Sequence, residues 1–233
     1  MSRLYKIVLP LSFVFIILAG YIQPTNELYI DLGGHLLRGQ IFVQTHQIPT
    51  TNLFSYTYPN FSYINLEWLT ETIFYLVNSL LGINSLIILT TIISLFSFLI
   101  LYRYASKKTN MFLTSYIAVP YTLVLYYRAN VLPEIFSYLF LSLFIFLLYR
   151  FRDTDTPFIW LLIPLQLLWV NMHIYFIVGI LLVGLFLIEA IIKFREKDNG
   201  KYVKTLIILL AATCIVSLFN PYGLSGLLYP FLF

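Results

Sequence analysis

The sequence predicts an all-α membrane protein of about seven transmembrane helices, with two juxtamembrane helices in the first extracytoplasmic loop. Three observations carry that expectation. Of the 233 residues, 60% are hydrophobic and only 10% are charged, against about 45–50% and about 25% in a water-soluble domain. That is more apolar surface than one core can bury. Charge-free runs recur at 7–22, 84–102, 111–127, 135–149, 158–172, 174–188 and 205–219, each close to the roughly 20 residues that a spanning helix needs once its flanks are included. Basic residues then fall on alternate loops. With the N-terminus cytoplasmic, twelve of the fourteen Lys and Arg lie inside and only Arg38 and Arg128 lie outside, as the retention of basic loops requires. The same composition excludes a soluble globule and a nucleic-acid binder, because a net charge of +4 scattered along the chain forms no stripe that could track phosphates.

The first apolar run follows Arg3 and Lys6. Leu18-Ala19-Gly20 is a poor cleavage site, so the run reads as an uncleaved anchor. The outer loop 23–83 comes next. Pro24-Thr25-Asn26 before Glu27 is a capping signal, which starts an interfacial helix over about 27–41. Residues 42–66, rich in Thr, Asn, Tyr and Pro, read as an extended connection. Over 67–81, Leu69, Ile73, Leu76, Val77 and Leu80 recur at helical spacing, with Glu67, Thr70, Glu71 and Asn78 on the other face. This predicts an amphipathic helix lying on the outer surface. Trp68, Trp160 and Trp169 fall at span ends, where an aromatic belt belongs. Asn220-Pro221-Tyr222-Gly223 ends the seventh span, and the apolar tail 227–233 reads as the start of a further element, as in a C-terminally truncated chain. No repeat or Gly/Ser linker divides 1–233, which forms one membrane domain of a multi-pass plasma-membrane protein. The single cysteine, Cys214, allows no internal disulfide.

Polar chemistry collects outside. Glu27, Asp31, His35, Arg38, His46, Glu67, Glu71, Arg128, Glu134 and His173 all fall there, including all three histidines. Orientation rules do not require acids and histidines on that face, so the pattern points to an outward-facing site. Asp31, His35 and Arg38 stand at i, i+4 and i+7 and share one helix face. A carboxylate beside an imidazole could deprotonate a hydroxyl, or Asp31 and His35 could hold a divalent cation, while Arg38 could bind phosphate. A solvated helix face has the same spacing. Glu67 and Glu71 would repel each other at i, i+4 without a cationic partner. Arg128 and Glu134 read as an interfacial ion pair. Beside His173, Asn171 suits a helix cap as well as a ligand contact. Gly33 and Gly34 leave room for a ligand or a second helix. No Walker loop, dinucleotide fingerprint, zinc-protease motif or nucleophile elbow is present. No line of ionisable residues crosses spans 135–149 and 174–188, which disfavours ion transport.

Several stretches, in order, resemble the bacterial and archaeal GT-C-type membrane glycosyltransferases, the polyprenyl-phosphate-sugar-dependent group that includes the protein mannosyltransferases. In the first outer loop these are Asp31-Leu32-Gly33-Gly34-His35-Leu36-Leu37-Arg38-Gly39-Gln40, Ile48-Pro49, Phe54-Ser55-Tyr56-Thr57 and Glu67-Trp68-Leu69. Later landmarks are Arg128 with Pro133-Glu134-Ile135-Phe136-Ser137-Tyr138, then Trp169-Val170-Asn171-Met172-His173 and Leu218-Phe219-Asn220-Pro221-Tyr222-Gly223. The resemblance spans roughly 1–230. It implies sugar transfer from a polyprenyl-phosphate donor to an acceptor hydroxyl or amine on the extracytoplasmic face. Asp31 would be the general base or bind acceptor or metal, and Arg128 with His173 would stabilise the departing lipid phosphate. His35, Arg38 and Glu67 complete the candidate substrate-binding set. Leu32 follows Asp31, so the family's paired acidic motif is absent. A non-catalytic lipid-carrier binder or flippase would use the same groove without needing Asp31 as a base, and a structural subunit would need none of these residues.

Overall fold

The computed structural model describes residues 4–22, 31–53, 55, 57–58, 61–193 and 200–232. Ten α-helices are present among them: α1 (Tyr5–Ile22), α2 (Leu32–Thr45), α3 (Trp68–Leu81), α4 (Asn84–Lys108), α5 (Met111–Tyr127), α6 (Glu134–Thr154), α7 (Leu162–Val170), α8 (Ile177–Lys193), α9 (Gly200–Val216) and α10 (Leu224–Leu228). Short 3₁₀ turns at Pro157–Leu161 and Ile174–Phe176 precede α7 and α8, and a third follows α10. The described residues form no strand; Thr51 and Ser62 make one isolated antiparallel bridge. The expected capping signal at 24–27, together with Arg3, Phe54, Tyr56, Arg195 and Lys197, lies outside the described residues.

Four segments are long and apolar enough to cross a membrane: α1, α4, α6 and the continuous stretch Ile174–Lys193. The other three expected spans are shorter. Helices α5 and α9 have 17 residues each, a rise of about 26 Å against a hydrocarbon core of about 30 Å. The run expected at 158–172 is broken. Its first turn is 3₁₀, and α7 has only nine residues. Pro164, in the first turn of α7, has no N–H to donate toward the Trp160 carbonyl, so the change from 3₁₀ to α geometry comes where a proline costs least.

Helix α2 runs to Thr45, four residues beyond the expected end, and closes on His46, whose backbone is left-handed (φ 55°) and whose N–H donates to the Phe42 carbonyl. Helix α3 spans nearly the expected residues but buries much of its polar face. Its polar residues Thr70, Glu71 and Thr72 are buried, while Leu76 and Leu80 of the apolar stripe are exposed, Leu80 by 79%. The rest of the stripe, Leu69, Ile73 and Val77, packs against the core, so protein covers the polar face of α3 and part of its apolar one. Trp169 departs from expectation as well. It is 1% exposed, stacked against Phe140 and edge-on to Phe144, and so belongs to the core and not to an aromatic belt.

Two apolar clusters organise the bundle. The larger, with Phe74, Phe136, Phe144, Trp169, Phe176 and Leu209, joins α3, α6, α7, α8 and α9. The smaller, with Phe13, Ile17, Phe98 and Leu125, joins α1, α4 and α5. Hydrogen bonds tie polar side chains inside the second cluster, from Tyr21 Oη to Ser94 Oγ (2.6 Å) and from Tyr102 Oη to Ser115 Oγ (2.8 Å). Helices α2 and α3 pack so closely that a Cβ on Gly39 would stand 2.1 Å from the Glu71 carbonyl oxygen. Gly39, rather than Gly33 with its open surroundings, is the glycine that permits a close helix approach. Gly39→Ala is expected to force the two helices apart, at a cost of about 1–3 kcal/mol, measured as a lowered unfolding midpoint of the detergent-solubilised chain.

Candidate functional site

Where α2, α3 and the starts of α6 and α8 meet, a cavity of about 580 Å³ opens at one end of the bundle. Asp31, His35, Arg38, Glu67, Glu134 and His173 line it, with Gly34 and Tyr63 completing the wall. Five of the six candidate residues therefore share one pocket. The sixth, Arg128, reaches it through a partner. Its guanidinium grips Glu134 with two bonds, Nε to Oε1 at 2.7 Å and Nη2 to Oε2 at 2.5 Å, while the Arg128 side chain remains 51% exposed. The expected ion pair is present, and it is bidentate. His46 is exposed at the end of α2.

Behind the His35 and Arg38 wall of the pocket lies an ionic cluster. Glu71 is only 1% exposed, and a buried carboxylate must be matched by donors. Arg38 Nε donates to its Oε1 at 2.5 Å, and Asn65 Nδ2 donates to its Oε2 at 2.6 Å. His35 Nδ1 lies 2.9 Å from both Glu71 Oε1 and Arg38 Nη2. Asn65 is itself held, since its backbone N–H donates to Tyr222 Oη at 3.1 Å. The turn Asn220–Gly223 thus supports a residue 157 positions away that holds the buried acid. Arg38 also stands over the Tyr63 ring, 5.7 Å from its centroid.

A second chain of hydrogen bonds fixes His173. Trp169 Nε1 can only donate, and it does so to Ser137 Oγ at 2.8 Å. Ser137 Oγ lies 2.8 Å from His173 Nδ1, toward which the Tyr175 N–H also points at 3.4 Å. Nδ1 is therefore the acceptor, and Nε2 carries the proton. Nε2 faces Glu67 Oε1 at 3.4 Å. Burial, with a smaller electrostatic push from His35, takes the His173 imidazole down to about 3, so it is neutral at ordinary pH. Burial likewise pushes the Glu67 carboxyl up to about 7; His35 opposes the shift and Glu71 adds to it. The two residues meet as a neutral imidazole and a carboxyl poised between its two protonation states. Contacts from α3 to the turn 171–173 hold them together: Trp68 Nε1 donates to Asn171 Oδ1 (3.0 Å) and Thr70 Oγ1 donates to the Met172 carbonyl (2.8 Å). Asn171 has a tying role, since its Nδ2 donates to the carbonyls of Leu167 and Phe219.

Asp31 stands apart from this cluster, exposed at the N-terminal cap position of α2. Of the expected metal pair, Asp31 and His35, His35 also belongs to a group of three. His35, Glu67 and Glu71 bring ligand atoms within 4.8 Å of one another. These donors do not fit a resident divalent ion, because His35 Nδ1 and Glu71 Oε1 already bond to Arg38, whose guanidinium stands where the ion's charge would be. Sequence reasoning gave Glu71 a minor place, named Ser137 and Tyr222 only inside landmark stretches with no role of their own, and passed over Asn65. The signal for Glu71 was its unfavourable spacing from Glu67; nothing local marks Asn65.

No family model matches the chain, and searches of curated proteins and of solved structures return no match.

Two outcomes are expected. Arg38→Ala leaves Glu71 buried without its counter-charge and should cost about 3–5 kcal/mol of stability, read from thermal or denaturant unfolding. The raised Glu67 carboxyl binds its proton more tightly in the folded chain than in the unfolded one. Stability should therefore fall as pH rises from the ordinary carboxyl value of 4.5 toward 7. A carboxylic C=O infrared band titrating near pH 7, lost in Glu67→Gln, checks the assignment.

Proposed function

We propose that the chain is a membrane glycosyltransferase of the GT-C type, moving a sugar from a polyprenyl-phosphate donor to an acceptor on the extracytoplasmic face. The observation that carries this reading is the single cavity into which three separate segments bring two carboxylates able to take a proton, Asp31 and Glu67, beside the guanidinium of Arg38 and the neutral imidazole of His173. In the membrane of the cell it takes seven spans. Helices α5, α7 and α9 complete their crossings with flanking turns, and the N-terminus is cytoplasmic, which puts the basic helix ends inside and the cavity outside.

Transfer needs an acceptor O–H or N–H to lose its proton as its oxygen or nitrogen bonds to the sugar's anomeric carbon, while the bond from that carbon to the phosphate oxygen breaks and the lipid phosphate departs with the electron pair. A carboxyl near 7 is well matched to the proton transfer, which assigns the base to Glu67, held by His173. Asp31, at the mouth, orients the acceptor. Arg38 on the pocket wall and the half-exposed Arg128 at its edge are placed to meet the phosphate charge.

The test uses the full chain in proteoliposomes supplied with radiolabelled polyprenyl-phosphate mannose or glucose. Transfer should rise about tenfold per pH unit below about 7 and level off above it. Glu67→Gln should lower it at least ~100-fold, and Asp31→Asn should impair it by raising KM for the acceptor. Full transfer in both variants would remove the assignment of these carboxylates. A wild-type chain that binds the carrier and never passes on its sugar would make the protein a lipid-carrier binder or flippase.

A further inference from the structure

A second cavity, of about 650 Å³, lies at the opposite end of the bundle between the C-terminal parts of α4 and α6. On α6, Arg150 comes sixteen residues after Glu134, a rise of about 24 Å, so this cavity stands across the bundle from the first. Its floor is apolar, formed by side chains such as Phe96, Leu99, Leu143 and Phe146, and its rim carries Arg103, Lys107, Lys108 and Arg150. One acid, Asp153, faces these four cations, and it is already engaged by Lys108 Nζ (2.6 Å) and Tyr104 Oη (2.6 Å). The nearby Arg152 reaches both Asp153, at 3.8 Å, and Glu189, at 3.4 Å. Among the described residues, neither Arg103 nor Lys107 has a carboxylate within ion-pair distance, although they stand at i, i+4, where like charges repel. The Arg150 guanidinium lies 5.8 Å from the Phe146 ring centroid, at the seam between rim and floor.

We infer that this cavity binds an anionic phospholipid, its phosphate among Arg103, Lys107 and Arg150 and an acyl chain along Phe96, Leu99 and Phe146. Basic-loop retention accounts for Lys and Arg at these helix ends. It does not account for their convergence on a cavity with an apolar floor. A free phosphate would use the rim and leave the floor wet, whereas a lipid covers both. Phe96 is 54% exposed on the outer side of α4, so the floor continues onto the surface that meets the bilayer. The inference rests on α4 and α6 crossing a membrane, as their length and composition allow. It is independent of sugar transfer at the other end.

The experiment measures lipid retained by the purified full chain, using native mass spectrometry with dioleoyl phosphatidylglycerol, dioleoyl phosphatidylcholine or inorganic phosphate. Phosphatidylglycerol should be retained in preference to phosphatidylcholine and should raise the unfolding midpoint. Because each cation near the surface contributes about a fivefold gain in affinity, Arg103→Gln with Arg150→Gln should weaken retention about 25-fold. Lys6→Gln with Lys204→Gln removes the same charge from exposed positions elsewhere and should leave retention at the wild-type level. Phe96→Asn, on a half-exposed position, should weaken retention with every cation in place. The inference fails if phosphatidylcholine is held equally well, if the two charge-removing pairs lose retention alike, or if Phe96→Asn changes nothing. Competition by inorganic phosphate at concentrations comparable to the lipid would also overturn it, by making the cavity a phosphate site.

Discussion

A carboxylate sealed from water has to be neutralised by its neighbours, and in this protein that requirement falls on Glu71. Its oxygens take bonds from Arg38 and Asn65, with His35 against the same pair. Meeting it sets the relative position of α2 and α3, because Arg38 and His35 are on one and Glu71 is on the other. Gly39 removes the side chain that would hold the helices apart, and Tyr222 holds Asn65 in place from the far end of the sequence. With α2 fixed in this way, Asp31 stands at the mouth of the cavity and His35 on its wall.

The opposite wall follows from a different demand. The indole N–H of Trp169 is buried and must find an acceptor. It finds Ser137, which turns its own proton to His173, and His173 is left with its remaining N–H toward Glu67. An apolar core residue thereby determines which imidazole nitrogen faces the pocket. Burial keeps that imidazole neutral and brings the adjacent carboxyl to about 7. The site contains two kinds of acid: Glu71, matched and structural, and Glu67, poised and available.

The two ends of the bundle differ in how their charges are balanced. At the acid and histidine end, nearly every charged group has a close partner, and the cavity is built from those pairs. At the basic end, Lys201 pairs with Asp155 and Lys193 with Glu189, yet cations outnumber acids around the α4–α6 cavity. One helix carries both characters, since α6 begins at Glu134 and passes Arg150 before it ends.

Taken alone, the sequence determined the helical elements, most of their ends and the gathering of acids and histidines at one end. Those features follow from composition and from periodicity within single segments, which act locally. The tertiary structure decided that much of the polar face of α3 is buried, that Trp169 is core, that the run at 158–172 breaks, and that Arg38 rather than a metal answers Glu71. The break comes at Pro164 within the run itself; the others depend on a partner far along the chain, 33 residues for Arg38 and Glu71 and 103 for Trp68 and Asn171. Helical spacing identifies a polar face; whether that face meets water or another helix depends on what the fold places beside it.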